Sequence, residues 1–250
     1  AAMADPKLVR DLEASVKRYP DEWLAAQQDY LSVYLNAWDR EAQLQKMTGI
    51  AANDCHHNQV YLTKMVDAET VLVGTIVDKD EDMIKLTVKE QPGITELTKG
   101  HQPGDVLAKV DFDPYYIMLR NCATHILANE LSEEAMRKAL KAGHAYVSHD
   151  WMCDPTGFVF GAVRLGDNAA APLSIIMGDE VQPAEGLKLL AEFPLSCHIR
   201  LLKNGEVVHE FDGQTLEHAP DGPGVYRVEG WVTLDDERRP WIYSNPVYVR

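Results

Sequence analysis

Apolar residues recur at helical spacing near the amino terminus, and alternating patterns replace them further along the chain. Leu8, Leu12 and Val16 lie on one helical face, and Pro20 ends that helix. A second helical region opens at Asp21. Its large apolar residues are Trp23, Leu24, Tyr30, Leu31, Tyr34, Leu35 and Trp38. Such residues can line a pocket, but helical spacing is more typical of packing, so we assign them to the core.

The middle of the chain combines short strands with one well-marked helix. Ser132 caps that helix and Gly143 stops it. Residues 91–105, rich in Gly and Pro, predict a loop. β-Branched and alternating runs predict strands at residues 70–77, 83–88, 106–112, 115–120 and 146–147. The first two of these runs flank a charged turn and therefore predict a hairpin.

From residue 158 onward the pattern is entirely that of β-strands. Seven short runs lie at residues 158–163, 173–177, 187–193, 197–202, 207–211, 225–232 and 241–249. The turn Asn204-Gly205 separates two alternating segments, which is a strong hairpin signal. Seven strands in this length predict a sandwich that resembles an immunoglobulin-like domain over residues 157–250.

The stretch from Thr48 to Gln59 carries the strongest chemical signal. It begins as a short apolar run, which predicts a buried strand over residues 49–54, and ends in polar groups. Since residues two apart on a strand point the same way, Asp54 and His56 leave this strand side by side. A carboxylate oxygen beside an imidazole nitrogen suits zinc or manganese. The alternative is a polar loop in which the histidines are only hydrogen-bonded.

Several motifs of the chain resemble PHP (polymerase and histidinol phosphatase) metallohydrolases, in the branch that includes carbaryl hydrolase. In that branch a helix with a Trp-Asp pair, here Trp38-Asp39, precedes a strand that ends in Asn-Asp-x-His, here Asn53 to His56. Further matches in the expected order lie at residues 124–127, 142–151, 154–158 and 240–249. Two features depart from the family: His57 replaces the usual Gln, and the opening His-x-His motif is absent.

The resemblance implies an α+β architecture that corresponds to the carboxyl-terminal part of such an enzyme. Residues 1–156 would form a partial PHP-type α/β barrel with a hairpin insertion at about residues 69–112, and residues 157–250 the sandwich. The implied activity is metal-dependent hydrolysis of phosphate esters or related activated esters. A metal-bound hydroxide would attack a small-molecule ester, while the divalent ion, zinc or manganese, stabilises developing charge.

The resemblance and the residue chemistry together assign provisional roles to six side chains. Asp54 and His56 are expected to bind the metal, and His125 is a candidate third ligand. His57, His149 and Asp150 are candidates for moving protons. Another hypothesis makes Cys55 a nucleophile beside His56, although adjacent strand residues point to opposite faces. A different class of function is a catalytically incomplete fragment that acts as an oligomerisation or binding module.

The net charge limits the partners that the chain is expected to bind, and the cysteine spacing limits the disulfide and zinc sites that it is expected to form. With 39 acidic and 24 basic residues, the formal net charge is −15, which argues against nucleic acid and anionic membranes as partners. The four cysteines lack a Cys-x-x-Cys pair, so neither a disulfide framework nor a zinc knuckle is expected. No apolar run is long enough to span a bilayer, and a start at Met3 would predict a soluble cytoplasmic protein. The apolar amino-terminal helices predict a homodimer.

Overall fold

The protein has an α+β fold, with 23% of residues in helices and 39% in strands. The computed structural model describes residues 6–26, 30–164, 166 and 173–250, and of residues 6–10 only the backbone. The side chain of Leu8 therefore lies outside the described part. The helices are α1 Pro6–Arg18, α2 Pro20–Ala25, α3 Ser32–Leu44, α4 Pro92–Leu97, α5 Tyr115–Asn121 and α6 Glu133–Ala142.

Contacts within the structure divide the chain into two compact units. The first contains the described residues up to 26 and residues 53–119, and the second contains residues 30–52 and the described residues from 120 to 250. This division differs from the sequence-based boundary after residue 156. The chain passes from the second unit to the first between Ala52 and Asn53, inside the stretch from Thr48 to Gln59.

A four-stranded antiparallel sheet forms the centre of the first unit. Its strands are β1 Val60–Met65, β2 Thr70–Thr75, β3 Ile84–Thr87 and β4 Val106–Asp111, in the order β3-β2-β1-β4. The strands β2 and β3 confirm the predicted hairpin. Two small apolar clusters support this unit: Val71 packs with Val88 and Ile94, and Leu24 packs with Ile117 and Met118.

A ten-stranded sheet forms the second unit, with a large apolar core that includes Phe160, Phe193 and Trp241. Its strands are β5 Ala123–Ile126, β6 Ala145–Ser148, β7 Val159–Val163, β8 Ile175–Ile176, β9 Glu180–Val181, β10 Lys188–Lys203, β11 Glu206–His218, β12 Gly224–Leu234, β13 Glu237–Ser244 and β14 Val247–Val249. The main path is β5-β6-β13-β12-β10-β7-β8, with β11 on β10, and β14 between β12 and β9. Among the described strands, β9 and β14 make the one parallel pair.

A buried ion network attaches α3 to β12 within the second unit. Asp39 of α3 accepts two hydrogen bonds of 2.7 Å from Arg227, and Arg227 also donates to Glu229 at 2.6 Å. All three side chains are almost fully buried. Tyr30 donates a further hydrogen bond of 2.7 Å to Glu229. The Trp-Asp pair of the sequence motif therefore has a structural role in this protein, since Asp39 neutralises a buried arginine.

Three sequence-based assignments of secondary structure were wrong. Residues 49–54, predicted as a strand, lack regular structure; residues 115–120, also predicted as a strand, lie in α5; and the predicted loop at residues 91–105 contains α4. In the last case Pro92 occupies the first helical position, which suits a helix start as well as a loop. Two further predicted strands, 187–193 and 197–202, are one continuous strand, β10.

Candidate functional site

The segment before Asp54 lacks regular structure and pairs with no described strand. Its backbone groups bond to side chains of the second unit instead. Asn245 accepts from Gly49 N at 2.6 Å and donates to Gly49 O at 3.0 Å, and Thr124 Oγ1 accepts from Ala51 N at 2.9 Å. Because a side chain bonds one or two backbone groups whereas a strand bonds a whole row, the apolar run is held without forming sheet.

Asp54 and His56 do lie together, as the sequence predicts, but in a segment without regular structure. Asp54 has a φ of 51°, the left-handed conformation that Asp tolerates better than most residues. Its Oδ1 lies 2.8 Å from His56 Nε2, and the two side chains are 90% and 62% exposed. The pair is therefore accessible to a solute, and a non-glycine residue at positive φ is a feature that clusters at functional sites.

His57 forms a second Asp–His pair beside the first. It also has a positive φ, 53°, and its Nε2 lies 3.0 Å from Asp111 Oδ2 at the end of β4. The ring of Tyr115 lies 5.1 Å from the His57 ring, and the Tyr115 hydroxyl donates to His56 O at 3.3 Å. The Asp111 carboxylate orients the imidazole, as a partner of a proton-transferring histidine does.

Asp113 fixes the backbone that follows the two histidines. Its carboxylate oxygens accept from Asn58 N at 2.8 Å and Gln59 N at 2.9 Å, and the residue is 2% exposed. Sequence reasoning assigned no role to Asp111 or Asp113. Two carboxylates two residues apart at the end of a strand are the signal that could have identified them, since this is the same spacing as Asp54 and His56.

A groove of about 270 Å³ in the first unit lies next to Asp111. Lys17 of α1 and Lys109 of β4 line it, together with Asp111 itself. The Nζ of Lys17 also bonds Glu13 at 2.7 Å. The groove thus carries two ammonium groups and two carboxylates, since Glu13 also lines it. Its charges balance, and the ammonium groups offer hydrogen-bond donors close to the carboxylate that holds His57.

Cys55 does not have the properties of a nucleophile. The thiol packs against the cluster of Leu24, Ile117 and Met118. Desolvation and the nearby carboxylate of Asp113 raise the pKa of Cys55 above its usual value. A raised pKa keeps the thiol protonated at neutral pH, whereas a reactive cysteine needs a lowered one. The hypothesis of a cysteine nucleophile therefore has no support from the local chemistry.

His125 and Asp150 form a separate pair within the second unit. The His125 Nε2 lies 3.0 Å from Asp150 Oδ1, and Ser148 donates a hydrogen bond to the same oxygen. The His125 ring stacks on Tyr146 at 4.6 Å, across the β5–β6 pair. Because Ser148 donates to the carboxylate rather than to the histidine, this group is not arranged to activate the serine.

The structure gives His149 no hydrogen bond to its neighbour Asp150, although both are candidates for moving protons. Its Nδ1 bonds the carbonyl oxygen of Asn121 at 3.0 Å. A carbonyl only accepts, so Nδ1 carries the proton and the neutral ring presents Nε2 as an acceptor. Burial lowers the pKa of His149, although the Asn121 bond and the Asp150 charge oppose the shift. His149 is therefore a neutral base at pH 7.

We expect this buried histidine to make stability depend on pH. The folded state holds His149 neutral below its unfolded pKa of about 6.5, so the unfolded state binds more protons as the pH falls. Stability is thus present above that value and decreases towards acid, by at most about 1.4 kcal/mol per pH unit for one proton. His149→Asn retains a donor for Asn121 but does not titrate. Urea unfolding of both proteins from pH 7.5 to 5 measures the effect. The free energy of unfolding should fall more steeply with decreasing pH in the natural protein than in His149→Asn, and equal slopes would contradict this prediction.

The donors around Asp54 fit part of a divalent-metal site. Asp54 and His56 supply an oxygen and an imidazole nitrogen that already lie 2.8 Å apart. Across the described ranges, however, no group of three or more His, Cys, Asp or Glu side chains is arranged to hold a metal. The candidate third ligand, His125, is in the second unit and pairs with Asp150, whereas Asp54 and His56 are in the first. Asp54 and His56 therefore fit the chemistry of two ligands of a divalent metal.

Comparisons with protein-family models, curated proteins and solved structures find no match for this chain. The resemblance to PHP metallohydrolases therefore stays a prediction from sequence motifs. In the part of the chain that the structure describes, every helix is too short or too polar to cross a bilayer.

Proposed function

We propose that the protein is a metal-dependent hydrolase of phosphate esters or related activated esters, with Asp54 and His56 as two of its metal ligands. The observation that carries the proposal is the exposed contact of 2.8 Å between Asp54 Oδ1 and His56 Nε2, in an irregular segment where Asp54 has a positive φ. The finer description of the fold, a partial PHP-type barrel with an immunoglobulin-like sandwich, belongs to the same proposal.

The surrounding residues have roles that follow from their contacts. A bound zinc or manganese ion supplies a Lewis acid and lowers the pKa of water. His57, oriented by Asp111 at 3.0 Å, transfers a proton, and its ring contact with Tyr115 limits its rotation. Lys17 and Lys109 offer ammonium donors to the ester oxygens in the groove beside Asp111. Asp113 keeps the histidine segment in place through Asn58 and Gln59.

A screen of phosphomonoesters, diesters and triesters with added zinc or manganese tests this function. We expect hydrolysis of at least one class, and a decrease of about 100-fold or more with Asp54→Asn, because the variant removes a charged ligand. Asp105→Asn is the matched control, since Asp105 also pairs with a histidine, His101, in the same unit. Equal activity of the Asp54 variant and the control would contradict the proposed role of Asp54.

The second candidate function is an oligomerisation or binding module, and a specific observation favours it. Leu31, Val33 and Tyr34, at the start of α3, are 60%, 77% and 74% exposed. Exposed apolar side chains close in sequence are typical of surfaces that bind another molecule. Light scattering distinguishes the candidates together with the ester screen. A dimer that hydrolyses no ester supports the binding module, whereas activity supports the hydrolase.

A further inference from the structure

A cavity of about 230 Å³ lies within the second unit, and its lining includes none of the residues that carry the function proposed above. From the sequence, the apolar residues of α3 were expected in the core, but in the structure Leu35 and Trp38 form one wall of this cavity. The lining includes Leu35 and Trp38 of α3, Ala51 of the extended segment, Val147 and His149 at β6, and Tyr243 of β13. The volume exceeds the roughly 150 Å³ of an engineered cavity that holds benzene in another protein, so it suits one or two aromatic rings.

The aromatic wall is fixed before any ligand arrives. The indole N–H of Trp38 points to Met47 O at 3.4 Å, and the guanidinium of Arg227 lies 5.5 Å from the ring centroid. Gly49 packs so closely that an added Cβ would lie 3.0 Å from the Trp38 ring. A ring held from several sides cannot rotate into the cavity, and a preformed apolar cavity is the usual form of a small-molecule site.

Most polar groups of the lining already have protein partners. Asn245 bonds Gly49 and Ala145, and Ser244 Oγ accepts from Val228 N at 2.9 Å. His149 differs, because the structure gives its side chain one hydrogen bond within the described residues, from Nδ1 to Asn121. The Nε2 atom is thus an acceptor available to a ligand, and a ligand that donates N–H or O–H matches it.

We propose that this cavity binds a small uncharged aromatic molecule that carries one hydrogen-bond donor, of the indole or phenol class. The rings of Trp38 and Tyr243 contact its faces and edges, as aromatic pairs prefer offset or edge-to-face geometry. Its donor bonds His149 Nε2. A charged ligand is excluded because the lining formed by the described residues contains no carboxylate and no ammonium group, and because burial of an unpaired charge is costly.

A fluorine NMR titration with 5-fluoroindole, and with its N-methyl derivative as the ligand without a donor, tests the proposal. We expect a Kd of about 0.1–1 mM for 5-fluoroindole, in keeping with the size of the molecule. The N-methyl derivative should bind about five- to tenfold more weakly, which is the contribution of one neutral hydrogen bond. Failure of 5-fluoroindole to bind at 5 mM, or equal affinities for the two ligands, would overturn the proposal.

Two variants assign the binding to this cavity. His149→Asn retains a donor for Asn121 O but lacks the Nε2 acceptor, so it should bind the two ligands equally, at the affinity of the natural protein for the N-methyl derivative. Ala51→Leu fills the cavity and should weaken both ligands by tenfold or more. Unchanged binding by Ala51→Leu would place the site elsewhere and overturn the proposal. The preference of the natural protein for 5-fluoroindole provides a test that needs no variant.

Discussion

Replacing Asp39 by Ala should lower the free energy of unfolding of the second unit by about 3–5 kcal/mol. Asp39 is 4% exposed and accepts two hydrogen bonds from Arg227, which is 2% exposed. Without Asp39, the guanidinium loses two charge-assisted bonds and stays buried, with Glu229 as its remaining carboxylate partner. The cost arises because the buried guanidinium loses one of its two carboxylate partners, rather than from the lost contact area. Urea denaturation followed by tryptophan fluorescence measures it.

Glu41→Ala is the matched control for this variant. Glu41 lies on the same helix but is exposed. Substitutions at such positions change stability by about 0.5 kcal/mol or less, so the control separates loss of the network from loss of helix charge. A change below about 1 kcal/mol for Asp39→Ala would show that water replaces the carboxylate, and the anchoring of α3 to β12 would need another explanation.

Elements with complete local signals could be predicted from the sequence. Helix α6 begins where the Ser132 side chain accepts from Ala135 N and ends at Gly143, whose φ of 82° suits glycine. The hairpin of β2 and β3 was predicted because both runs are β-branched and a charged turn joins them. In each case residues close in sequence determine the structure, so no knowledge of distant partners is needed.

Elements that depend on distant partners were not predicted. The apolar run at residues 49–52 resembles a buried strand, but Thr124 and Asn245 bond its backbone, and neither contact has a signal in the run itself. Residues 115–120 alternate like a strand, yet they form α5, which places the buried Ile117 and Met118 in the cluster with Leu24. Packing against residues far along the chain decided both conformations.

The candidate site was predicted in part. The contact between Asp54 and His56 was expected from their spacing, and it occurs, although the segment is irregular and not a strand. The partners Asp111 and Asp113 were missed, because fifty or more residues separate them from the histidines they contact or support. It was also not predicted that His149 lines a cavity while its neighbour Asp150 pairs with His125. The two residues are adjacent in sequence, and the sequence gave no sign that their partners differ.

The central claim is that Asp54 and His56 bind a divalent metal, and the metal content of the purified protein tests it most directly. Elemental analysis after dialysis against zinc or manganese should find bound metal in the natural protein. His56→Ala should lower the metal affinity by about 100-fold or more, since even the loss of a group that only supports a ligand costs 10–100-fold. His101→Ala removes the histidine of a different exposed pair, His101–Asp105, and should retain full metal binding. Equal metal in the two variants, or none in the natural protein, would contradict the claim.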